Sequence, residues 1–145
     1  MRHEMMLLVC HAADGHFADG DREAVRRVLN QSGYLVDARE LGSEWYQLIC
    51  VDGGQLALRA PGLNGNRAFH RIEVLPQSGH WTADMLDVTY ELMVAGGFGL
   101  VNNLDRPQFM VTEPQQITYF PWLPEPPLLV RSARDLGYSL GQFPL

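Results

Sequence analysis

The sequence predicts a single α+β domain, a mixed, mainly antiparallel sheet of five to seven strands with two main helices packed on one face. Three observations predict it. A short apolar run from Met5 to Ala12 is followed by an amphipathic helical pattern, so the chain opens strand then helix. Asp52-Gly53-Gly54 separates two apolar runs, and Asp-Gly in that position is the strongest hairpin signal in the chain. Two helical stripes stand against five or more strand-like runs, which is an α+β count.

The opening run is nearly continuous, as in a strand buried on both faces. Ala13 to Gly20 is a polar loop, and Asp19 or Asp21 is placed to cap the next helix. That helix is expected from about Asp21 to Ser32, burying Ala24, Val25, Val28 and Leu29, with Gly33 as its C′ residue. The strand–helix–strand order permits one right-handed parallel crossover. Strands are expected over Tyr34–Leu41, Glu44–Val51, Gln55–Ala60 and Ala68–Leu75, the last with irregular spacing.

Thr82 is the expected N-cap of the second helix. Trp81 before it packs on Met85, and Asp84 sits in the first turn. Met85, Leu86, Thr89, Leu92 and Met93 form its buried stripe, and Gly96-Gly97 stops it. Strands follow at Phe98–Val101 and Gln108–Thr112. From about residue 114 the chain is rich in proline and aromatic residues, which confines regular structure to short pieces. These are a helical turn or edge segment at Gln115–Phe120, a last strand at Leu128–Val130, and a short helix from a Ser132 cap through Leu136.

At 145 residues the chain suits one domain, taken as 1–145, and no linker divides it. All eleven basic residues are arginine, so lysine Schiff-base chemistry and a P-loop lysine are excluded. The formal net charge is −6, against nucleic-acid binding and against docking to an anionic membrane. The one basic cluster, Arg22, Arg26 and Arg27, reads as a solvated helix face beside Asp19 and Asp21. No apolar run is long enough to span a membrane, and Met5–Val9 is too short for a leader. The expectation is a cytoplasmic protein with Cys10 and Cys50 as buried thiols. A disulfide between them stays open if their strands are neighbours.

The densest run of potential ligands is Cys10, His11, Asp14, His16, Asp19 and Asp21. His11, Asp14 and His16 are the weak metal candidates, since histidines and carboxylates suit a borderline ion. The spacing is not that of a calcium loop, which needs oxygen ligands at alternate positions and an early glycine. Cys10 and His11 point to opposite faces of a strand, so a Cys–His pair would need His70 or His80. Gly96-Gly97-Phe98-Gly99 follows a helix, the wrong order for a phosphate loop.

No catalytic group and no cofactor are expected. The preferred reading is a non-catalytic acidic protein-binding domain, with an inhibitor or immunity-type partner of a basic protein as its specific form. Its expected contact residues are Asp14 and Asp19, or Tyr119, Phe120, Trp122 and Leu123, where aromatics lie on an irregular surface. Homodimer formation through the apolar tail is a further possibility. The alternative is a small enzyme, metal-dependent or not, with its site on the loop after the first strand.

Overall fold

The computed structural model describes residues 5–65, 67–77, 80–102, 108–119, 123 and 125–140, with only the backbone of residue 39. The domain is α+β with one mixed sheet of eight strands. In chain order these are β1 (Met6–Cys10), β2 (Gly33–Asp37), β3 (Trp45–Cys50), β4 (Gln55–Arg59), β5 (Arg71–Pro76), β6 (Phe98–Asn102), β7 (Phe109–Val111) and β8 (Leu128–Leu129). The helices are α1 (Arg22–Gln31), α2 (Ala83–Gly96) and α3 (Ala133–Ser139), with 3-10 turns at Arg39–Leu41 and Pro114–Tyr119.

Across the sheet the order is β2-β3-β4-β5-β1-β6-β7-β8. The strand count exceeds the five to seven expected, because the short C-terminal runs also find pairing partners. The one parallel pair is β7 with β8; every other neighbour is antiparallel. The anticipated parallel crossover is not between neighbours. β1 and β2 run the same way, but β5, β4 and β3 lie between them.

β1 is central because its run is apolar at every position: Met6, Leu8, Val9 and Cys10 are all buried. Register assigns its two faces. Met6, Leu8 and Cys10 stand beside Val74, Ile72, Leu100 and Phe98 on one face. These residues, with Leu48, Leu56, Leu58 and Met110, share a core with Val25 and Leu29 of α1, Met85, Leu86, Leu92 and Met93 of α2 and Leu136 of α3. Val9, Ala57 and Val111 on the opposite face are buried but lie outside that core. The helical layer therefore covers one face, as alternation along each strand requires.

The caps follow local chemistry. The Asp21 carboxylate accepts the Ala24 amide at 3.1 Å, and Thr82 Oγ1 accepts the Met85 amide at 3.2 Å. The reciprocal half of the second cap comes from sulfur, since the Thr82 amide donates to Met85 Sδ at 3.4 Å. Trp81 is half-buried against the core beside this cap. Gly97 closes α2 at φ 75°, a left-handed cap.

Gly33 differs from expectation. It begins β2 without a positive φ, and a Cβ there would lie 2.3 Å from the Ile49 carbonyl oxygen. It is required for close strand approach, which no local pattern reveals. β2 also ends at Asp37, short of Leu41, because residues 39–41 turn into a 3-10 helix.

Candidate functional site

The loop after β1 does not converge on a metal-binding geometry. Phe17 sits between two histidine rings, 5.0 Å from His11 and 4.6 Å from His70. Burial, and then the His70 charge, push the His11 pKa below its ordinary value. At the tip, Asp14 accepts the His16 amide at 3.0 Å and lies 3.3 Å from His16 Nδ1. The His16 amide is the main reason the Asp14 carboxyl titrates below the usual range. Asp19 accepts the Phe69 amide at 3.1 Å, tying this loop to the one before β5. Among the described residues, no three His, Cys, Asp or Glu side chains gather where they could hold a metal ion.

Cys10 turns to the helical side, its Sγ 3.7 Å from the Asp19 carbonyl and 3.9 Å from the Gly96 carbonyl. His11 is the next residue along and faces away from it, as strand alternation demands. Cys10 and Cys50 are both free and buried. With β5 and β4 between them, the two strands are roughly 14 Å apart at the usual spacing, and the register sets the cysteines at opposite ends of them. That is beyond the reach of a disulfide.

Of the aromatic candidates, Tyr119 ends a 3-10 turn packed beside β7 and β8 and is half-buried, as is Leu123. Phe120 and Trp122 lie outside the described residues. Asp14 and Asp19 are exposed, but each carboxylate already accepts a backbone amide, Asp14 within its own loop and Asp19 from the loop before β5.

A second acidic surface, which the sequence reading did not single out, forms around the N-terminus of α2. The Asp52 carboxylate accepts three hydrogen bonds at 3.0 Å, from Thr82 Oγ1, the Gly54 amide and the Asp84 amide. Asp84 reciprocates by accepting the Asp52 amide at 3.0 Å. The β3–β4 turn is thus locked to the helix N-terminus, where the macrodipole also favours carboxylates. Asp87 and Glu91 continue the line along α2 at helical spacing, and α2 has no basic residue.

Two of these acidic groups titrate in opposite senses. For Asp52, desolvation raises the pKa, but the amide and hydroxyl donors outweigh it and the net shift is downward. Asp87 has no such donors among the described residues. Desolvation, then the charges of Asp84 and Asp52, push its carboxyl above the usual range. None of Asp52, Asp84, Asp87 and Glu91 makes an ion pair among the described residues. Beside them Val51 is 91% exposed at the hairpin tip. The signal was available in the sequence as carboxylates at 84, 87 and 91, but Asp52 joins them only through tertiary structure.

A shallow cleft of about 400 Å³ lies at the other end of β2 and β3, lined by Asp37, Gly42, Ser43, Glu44 and Tyr46. Glu44 has φ 65°, a left-handed conformation unusual for a residue with a Cβ. Its carboxylate accepts the Gly62 amide at 2.9 Å and pairs with Arg67, so it clamps the β4–β5 loop. The Asn64 amide donates to Tyr46 Oη at 2.7 Å, a second tie from this loop.

Compared with protein-family models, with curated proteins and with solved structures, the chain matches none. No described helix is long and apolar enough to cross a membrane.

Proposed function

We propose that this domain is a non-catalytic, acidic protein-binding module of the cytoplasm that docks a more basic protein. The observation that carries the reading is the line Asp52, Asp84, Asp87 and Glu91, whose negative charge has no ion-pair partner among the described residues. Like charges held together cost stability, so their placement favours a role in which a cation completes them. A net charge of −6 would steer encounter with a positive surface. Val51 supplies an apolar contact at the edge of the acidic line. An inhibitor or immunity-type protein that covers the cleft of a basic toxin is the specific form that this layout serves.

The test is affinity capture from the native cell at low and moderate salt, with the wild type and with Asp87→Lys/Glu91→Lys. Neither side chain makes a hydrogen bond among the described residues, so the fold should tolerate the change. The expected result is one basic protein recovered near stoichiometry, weakened by salt and lost with the double variant. Equal recovery by the variant would move the interface elsewhere, with Asp14→Lys and truncation of Trp122 as the next probes. Turnover of a small molecule with no protein captured would overturn the reading in favour of an enzyme.

A further inference from the structure

Among the described residues β2 is the terminal strand of the sheet, paired only with β3. The Ala38 amide donates to the Trp45 carbonyl at 2.9 Å, one step beyond the Asp37–Tyr46 pair of the same register. In an antiparallel ladder, alternate residues turn their peptide groups to the partner. Tyr34 and Val36 therefore share the orientation of Ala38, towards β3. The peptide groups of Gly33, Leu35 and Asp37 point outward, and no strand among the described residues lies on that side.

This edge lacks the usual safeguards. Gly33–Asp37 has no proline and no charge before its last residue. Tyr34 is 68% exposed, and Leu41 in the following turn is 47% exposed.

We propose that the chain pairs with a second copy of itself through the outer edge of β2, antiparallel about a two-fold axis at Leu35. In that register the strand is self-complementary over its full length. Leu35 meets Leu35 and Gly33 meets Asp37, which places every outward peptide group opposite another outward group. A one-residue slip opposes outward groups with inward ones, and a two-residue slip loses pairs. Tyr34 then opposes Val36 of the other copy as a non-hydrogen-bonded pair, where side chains lie closest. An aromatic residue against a β-branched one is a favourable pairing. Asp37 faces glycine, so no like charges meet. The contact is isologous and closes on itself as a dimer. A five-residue edge buries little area, so the dimer is weak and forms at micromolar to millimolar protein. The proposal concerns a different surface from the α2 acidic line and does not depend on the basic-partner reading.

Sedimentation equilibrium over a concentration series tests it, with circular dichroism to check the fold. The wild type is expected to dimerise reversibly. Tyr34→Lys/Val36→Lys sets lysines opposite one another and should weaken the dimer by about tenfold or more. Tyr34→Lys/Val36→Glu sets lysine opposite glutamate and should restore it. A wild type that stays monomeric at millimolar concentration overturns the proposal. So does a folded lysine–lysine variant that dimerises like the wild type, or a folded lysine–glutamate variant no tighter than it. Should either double variant lose its fold, Leu35→Cys decides instead. Two cysteines at the axis lie about 5.5 Å apart between Cα atoms, within disulfide reach. Mild oxidation is expected to cross-link the variant, and failure to do so refutes the register.

Discussion

Replacing Asp52 by alanine removes the group that ties the β3–β4 turn to α2. Three hydrogen bonds are lost at once, from Thr82 Oγ1 and from the amides of Gly54 and Asp84. Bonds to a charged acceptor are worth about 1.5–3 kcal/mol each when buried. Asp52 is exposed, however, and water can satisfy the two amides it abandons, so a cap-like value of about 2 kcal/mol for the set is appropriate. Relief of repulsion on Asp84 and Asp87 returns about 0.4 kcal/mol. The net expectation is a loss of about 1.5 kcal/mol at neutral pH, read by urea denaturation, with a melting point lower by about 5 °C.

The pH dependence has a definite sign. The folded pKa of Asp52 is depressed. Its contribution is therefore present above the ordinary aspartate value of about 3.9 and is lost as pH falls through the lower folded value. The gap between wild type and Asp52→Ala should narrow below about pH 4. Proton titration followed by NMR should also show the Asp87 carboxyl moving down towards its ordinary value in the variant. A stability change under about 0.5 kcal/mol, or a gap that widens on acidification, would refute the reasoning.

Asp87→Asn should stabilise the fold slightly, by about 0.3 kcal/mol at neutral pH, while weakening capture of a basic partner. Because the Asp87 pKa is raised, that gain should shrink as pH falls through the folded value and should vanish where the carboxyl is protonated in both states. Gly33→Ala drives a Cβ to 2.3 Å from the Ile49 carbonyl oxygen and should cost about 3 kcal/mol by chemical denaturation. Gly97→Ala must hold φ 75° with a Cβ and should cost about 1 kcal/mol in the same assay, with no change in helix content. Burial, aided by Asp52 and Asp84, pushes the Cys50 thiol up to about 11. Cys10 and Cys50 should both resist a thiol reagent at pH 8 in the native protein and both react in denaturant; fast native labelling would contradict their burial.

Local chemistry was legible wherever a short window carried the whole cause. Asp21 and Thr82 cap helices because their side chains reach amides three residues on, and Gly97 ends α2 because a left-handed residue follows its last turn. Asp52-Gly53 turns a hairpin, and Ser132 starts a short helix, for equally local reasons. The uniformly apolar β1 also announced a position in the middle of the sheet. Each of these depends on contacts within a few residues, which composition and period express directly.

Strand order was decided by tertiary packing. Whether β1 would neighbour β2 depended on which apolar faces could close on the helices together, and a strand–helix–strand pattern allows several answers. Packing set β5, β4 and β3 between them, which separated Cys10 from Cys50 and left β2 as an outer edge. The same closure brought Asp52 to the α2 N-terminus, thirty-two residues on from its own turn, and set its carboxylate beside those of Asp84 and Asp87. Gly33 was needed only once the Ile49 carbonyl lay against it. Side-chain period reports which face of an element is apolar, but not which partner will cover it. That choice rests on the summed burial of the whole core, to which every element contributes at once.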